Sequence, residues 1–219
     1  MTRSVLRALF ILAPVAMLCS GCLAVGQSFA LASVAVTLLA SGAGTVAIAA
    51  LDRREWIRTG AKPPFFAGTL RGGFGNPFDV LVKQRQPLAD VFSQVAAKGL
   101  KAKGFDATPV AVDFSEEDDA AKQKLLAQGA EKNILIHIHS WQADTMTNVG
   151  MYYLLTAMVM DSAGNVLAQA KITGEEDGKD NLRGSVMNPA GYAKKAVPKA
   201  FAGHIEELLN NEDIVKALA

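Results

Sequence analysis

Residues 132–143 read KNILIHIHSWQA. Ile134, Ile136 and Ile138 fall on one side of an extended chain, and Leu135, His137, His139 and Trp141 on the other. Strict alternation of this kind predicts a β-strand. The apolar run VGMYYLLTAMVMD, residues 149–161, predicts a second strand. The turn residues SAGN at 162–165 then lead to a returning strand, VLAQAKIT. These residues define an antiparallel meander.

Upstream of the meander the periodicity changes. In PLADVFSQVAAKGLKAKG, residues 87–104, Leu88, Val91, Phe92, Val95, Ala96 and Leu100 recur at helical spacing and form one apolar stripe. Pro87 suits the first turn, and Gly104 can close the far end. FDATPVAVDF, 105–114, is a short strand. Ser115 with Asp118 has the form of a capping box before an Ala/Leu-patterned helix that ends near Gly129. FFAGTL, 65–70, is a further strand, and RGGFGNPF, 71–78, is a loop rich in turn residues. GEEDGKDNLRGSVMNP, 174–189, is a polar loop. Helical pattern runs from about Ala190 to Leu209, with Pro198 expected to kink or split it. The predicted order is β-α-β-α-β-β-β-α, a mixed α/β sheet with helices packed on it.

The chain has 219 residues and a formal net charge of +1. That balance gives no clustered basic surface for nucleic acid. Its charge is unevenly placed: no Asp, Glu, Lys or Arg occurs from Ala8 to Leu51. The start carries Arg3 and Arg7, then the apolar run ALFILAPVAML, the layout of a secretory signal. Residues 18–22, LCSGC, resemble the bacterial lipobox: Ser20, Gly21 and Cys22 fit the pattern, and Cys19 replaces the usual Leu. The resemblance implies removal of residues 1–21 and attachment of lipid, including palmitate, to Cys22. Leu23 rather than Asp follows, which implies the outer membrane. A redox pair or zinc site would need a different setting for Cys19 and Cys22.

Residues 22–51 are then read as a membrane-proximal apolar segment, 52–64 as a linker and 65–219 as a periplasmic domain. Within the first of these, 29–51 is expected to be a small-residue tether on the membrane. A second span or a buried helix of the domain are the alternatives. GAGTVAIAALDRREW, residues 42–56, resembles the post-lipid segment of some envelope lipoproteins, where an Ala/Val/Gly run ends in Asp-Arg-Arg or a similar motif. The helix PLADVFSQVAAKGLKAKGF, the acidic helix, the ILIHIHSWQA strand and the meander together resemble the YajG-like periplasmic lipoproteins. They are also similar to the group containing the TolB amino-terminal domain and LpoB. This resemblance, over about residues 63–218, implies a non-enzymatic envelope lipoprotein that touches another envelope component, and it carries no catalytic residue across.

Candidate sites follow from residue type. Phe74, Asn76, Phe78 and Trp141 are candidates for a surface that binds an envelope protein or cell-wall glycan. His137 and His139, two apart on a strand, point the same way and suit a shared zinc, which defines an alternative reading as a metal-dependent hydrolase. An inner-membrane protein with a two-helix amino-terminal hairpin is the third reading. Met146, Met151, Met158, Met160 and Met187 are read as core filling. No cofactor is expected.

Overall fold

The computed structural model describes residues 27–71, 75–146, 148–176 and 188–219. Cys22 and Phe74 lie outside the described residues, as does Met187. Eight strands form one mixed sheet, and five helices pack against it. The strands are β1 (Ser28–Phe29), β2 (Thr45–Asp52), β3 (Phe66–Arg71), β4 (Pro77–Val82), β5 (Asp106–Pro109), β6 (Lys132–Thr145), β7 (Val149–Asp161) and β8 (Val166–Glu176). The helices are α1 (Glu55–Arg58), α2 (Leu88–Lys101), α3 (Asp118–Leu126), α4 (Pro189–Leu209) and α5 (Glu212–Leu218).

Strand β6 is the spine. One edge pairs along its length with antiparallel β7, which in turn pairs with β8. The other edge is shared. Parallel β2 takes residues 132–138, and parallel β3 takes residues 143–145. β5 lies parallel outside β2. Antiparallel β4 lies outside β3, with parallel β1 at the margin.

Residues 29–51 are therefore neither a tether nor a membrane span. Thr45–Asp52 is an interior strand between β5 and β6. Val46, Ile48 and Ala50 enter the main core, while Ala47, Ala49 and Leu51 enter a smaller core on the opposite face. A strand buried on both faces has no need of polar alternation, so it reads like a membrane segment. The residues ahead of it also belong to the body. Leu31 and Leu38 are buried, and Gly99 of α2 admits this strip: a Cβ there would lie 2.5 Å from Val36 Cγ2. The Thr37 N–H donates to Glu206 Oε1 (2.6 Å), and the Leu39 N–H to Asn210 Oδ1 (2.8 Å). Asn210 Nδ2 returns a bond to the Thr37 carbonyl (3.0 Å). The expected linker 52–64 is likewise part of the fold, holding α1 and the buried Arg54 and Ile57.

The predicted stripe of α2 is fully buried, from Leu88 to Leu100. It packs with α4 and α5 on the main-core face. α3 covers only part of the other face, through Ala121 and Leu125 over Leu51, Leu135 and Met160. Three further local expectations change. Pro77 and Phe78, expected in the loop 71–78, open the strand Pro77–Val82. α3 begins after Glu117 without a side-chain cap, and Ser115 instead donates its N–H and hydroxyl to Asp113 Oδ1. α4 runs unbroken through Pro198, because Ala193, Val197, Phe201, Ile205 and Leu208 bury one face of it.

The alternation of β6 holds only as far as Ile138. The β6–β7 register shifts between Ile138 and Ser140. The extra residue, His139, reverses the parity of all that follows. Trp141 therefore turns to the same side as Ile134, Ile136 and Ile138, where it is fully buried. Its ring meets Phe92 and Phe201 edge-on, with centroids 6.2 and 5.5 Å away. Its Nε1–H donates to His204 Nδ1 (3.1 Å), and His204 stacks on Tyr153 at 3.8 Å. Trp141 is a core residue and not part of a binding surface.

Candidate functional site

The edge of β6 between Ile138 and Ala143 has no strand beside it, because β2 has ended and β3 has not begun. A side chain fills the gap. The Arg54 Nε–H and one Nη2–H donate to Asp52 (2.9 and 2.6 Å). Nη1 donates to the carbonyls of Phe66 (2.8 Å) and Trp141 (3.2 Å), and Nη2 also reaches the Pro64 carbonyl (3.5 Å). The five guanidinium donors are thus all engaged. Both partners are at most 2% exposed. This pair stitches β2, β3 and β6 together. Gly68 completes the join, since a Cβ there would lie 2.2 Å from the Ala143 carbonyl oxygen.

Below this junction the sheet ends in hairpins. Arg71 pairs with Pro77, Leu70 with Phe78 and, on the other side, with Thr145. Thr145 pairs with Val149 across the β6–β7 turn. The β3–β4 and β6–β7 ends are therefore neighbours at one end of the sheet. Two large apolar side chains protrude there: Phe78 is 37% exposed and Met146 51%. Asn76 and Pro77 are exposed beside them. Two nearby carboxylates are paired, Asp79 with Lys62 and Asp144 with Arg71 (2.6 Å), and Glu175 and Glu176 of β8 stand at the same end of the sheet. Asp144 raises the Arg71 guanidinium above its ordinary value by hydrogen bond and charge. Phe78 and Asn76 thus stand on the surface, and Met146 joins them instead of filling the core.

β1 meets this end too. Ser28 pairs with Leu81 and Phe29 with Val82 in parallel register, and the Leu81 N–H donates to the Gln27 carbonyl (3.0 Å). A parallel neighbour enters from the same end, so the chain reaches β1 from the side of Pro77 and Phe78.

His137 and His139 lie on the sheet face that α3 leaves uncovered. Their ring centroids are 5.8 Å apart. His139 Nε2 is 3.2 Å from the Thr156 hydroxyl, and His137 Nε2 is 3.4 Å from Asp118 Oδ2. Burial lowers both imidazoles, with the Asp118 charge partly opposing it. Burial raises the Asp118 carboxyl, but the Arg53 hydrogen bond and the charges of His137 and Arg53 outweigh it and hold it low. Asp118 is thus already committed to a guanidinium. Among the described residues no group of three His, Cys, Asp or Glu side chains is placed to hold a metal ion.

A cleft of about 310 Å³ opens at the carboxyl ends of β2 and β5, beside the start of α2. Asp90, Asp113, Glu116, Lys124 and Phe114 line it. Burial raises the Asp90 carboxyl, and the Asp113 charge adds to the rise. Crevices at the carboxyl ends of parallel strands are common ligand positions in α/β folds.

No protein-family model matches the chain, and no curated protein matches it. Several solved structures are similar to it, one with a TM-score above 0.5. Protein XCC0632 from Xanthomonas campestris, of family DUF330, superposes with TM-score 0.52 at 14% identity, covering 84% of this chain and 94% of its own. The PelC dodecamer from Paraburkholderia phytofirmans gives 0.43 at 14% identity, with 81% and 92% covered. The LpoB carboxyl-terminal domain from Salmonella enterica gives 0.31 at 11%, with 64% and 88% covered. Among the described residues no helix is long and apolar enough to cross a membrane.

Proposed function

We propose that this chain is a bacterial envelope lipoprotein, lipidated at Cys22 and held at the outer membrane, whose domain acts by binding rather than by catalysis. The observation that supports it most is the immediate entry of the chain into the sheet. Only four residues separate Cys22 from Gln27, whose carbonyl already accepts a sheet hydrogen bond. From there to Asp52 every segment is packed into the domain. The apolar stretch that suggested an inner-membrane helical hairpin is occupied as strip and strand. An anchor at Cys22 would hold the body against the bilayer and raise its effective concentration for neighbouring envelope proteins or glycan. More than one acyl chain makes such an anchor stable.

Mass spectrometry of the mature amino terminus, together with palmitate labelling in bacteria, tests the reading. The expected result is a lipidated Cys22 and loss of label in Cys22→Ser. An intact Met1 on the membrane-bound protein overturns it.

A further inference from the structure

We infer that the hairpin end bearing Pro77, Phe78 and Met146 rests on the lipid bilayer itself; this deepens the lipoprotein reading and rests on it. The chain arrives at Ser28 from this end, since β1 and β4 are parallel. Pro77 lies four residues back along β4 from Leu81, the partner of Ser28, or about 13 Å at strand rise. Cys22 lies six residues before Ser28, so the connecting chain spans at most about 20 Å. With β4 along the membrane normal, the hairpin end then stands within about 7 Å of the surface that holds the lipid.

Its chemistry fits that position. Phe78 and Met146 are two of five large apolar side chains exposed among the described residues. They project from adjacent hairpins, in neighbouring rows of the sheet. Asp79 and Asp144, which an anionic surface would repel, are each neutralised by a cation. Arg71, which neutralises Asp144, is half-exposed at the margin. The hairpins add a second, non-covalent contact that fixes how the domain stands on its anchor, as shallow apolar insertion does for interfacial segments. A protein partner for the same surface is the competing occupant.

The mature lipidated chain offers a clean probe. Cys19 leaves with the signal and the Cys22 sulfur carries lipid, so an introduced cysteine is the only free thiol. An environment-sensitive fluorophore is attached to Phe78→Cys, Met146→Cys and, as the distant control, Val166→Cys, in protein reconstituted into vesicles of phosphatidylethanolamine and phosphatidylglycerol. Val166 is exposed next to Met160 at the opposite end of the sheet, and β6 alone separates the two ends by about 40 Å. Nitroxide lipids labelled near the headgroup should quench the two hairpin probes about twofold or more, at an insertion depth of 5–10 Å. The Val166→Cys probe should be unchanged. Unquenched hairpin probes on protein whose Cys22 lipid is verified by mass spectrometry overturn the inference and leave the anchor standing. Probes shielded in native envelopes but not in protein-free vesicles overturn it in favour of a protein partner. Absence of lipid on Cys22 removes the anchor and the inference together.

Discussion

Arg53 and Arg54 are consecutive, yet they serve two different regions. Arg54 sits in the sealed junction of β2, β3 and β6, with Asp52 and three backbone carbonyls around it. Arg53 turns to the opposite face, where it meets the half-exposed Asp118 beside His137 and His139. The same charge is a structural necessity on one side and the partner of a half-exposed carboxylate on the other. What differs is the alternative open to each partner. Asp118 can turn to water, whereas Asp52 and the Trp141 carbonyl cannot.

The contrast is broken most severely at Arg54. Arg54→Met leaves Asp52 buried without its cation, and urea unfolding should show a loss of about 3–5 kcal/mol. Arg54→Lys should recover little, because one ammonium has three donors and no fork to span a carboxylate and three carbonyls. A full recovery by Lys would show that charge alone is needed there. Trp141→Phe keeps an aromatic ring in the cluster with Phe92 and Phe201 but removes the bond to His204; about 1 kcal/mol should be lost. On the open side, Arg53→Ala should cost less than about 1 kcal/mol, and less still in high salt. A loss there as large as at Arg54 would erase the distinction.

The open side should also carry the pH dependence near neutrality. The folded-state values of His137 and His139 lie below the ordinary 6.5. As pH falls through 6.5 the unfolded chain takes up these protons first. The stability they contribute is therefore complete above that value and lost below it. Replacing both with Gln should flatten the stability profile between about pH 7 and 5. Asp118 acts in a lower window. Its folded value lies below 3.8, so its contribution persists above that pH and disappears as the carboxylate protonates.

How far the sequence could be read depends on whether local pattern and burial agree. The stripe from Leu88 to Leu100 was legible because α2 buries one face and exposes the other. The meander was legible because residues 132–138 alternate, 149–161 form one apolar run and SAGN marks the turn. β2 was misread because both its faces are covered, which leaves an uncharged run with no visible period. Trp141 was assigned to the wrong face because a bulge adds one residue without any compositional mark. Of the candidate surface, Asn76 and Phe78 are exposed, Phe78 on β4 rather than in a loop. Met146 was not legible: methionines look alike in sequence, and only the hairpin geometry separates exposed Met146 from buried Met151 and Met160.

The clasp between Thr37, Leu39 and the end of α4 has a consequence for biosynthesis. Thr37 is bonded to Glu206, 169 positions away, and Leu39 to Asn210, 171 away. At elongation rates of about 5–20 residues per second, the first strip of chain waits roughly 10–30 s for the helix that fastens it. An enzyme that trims or modifies residues ahead of Gln27 within that interval works on a polypeptide whose front is still unfastened.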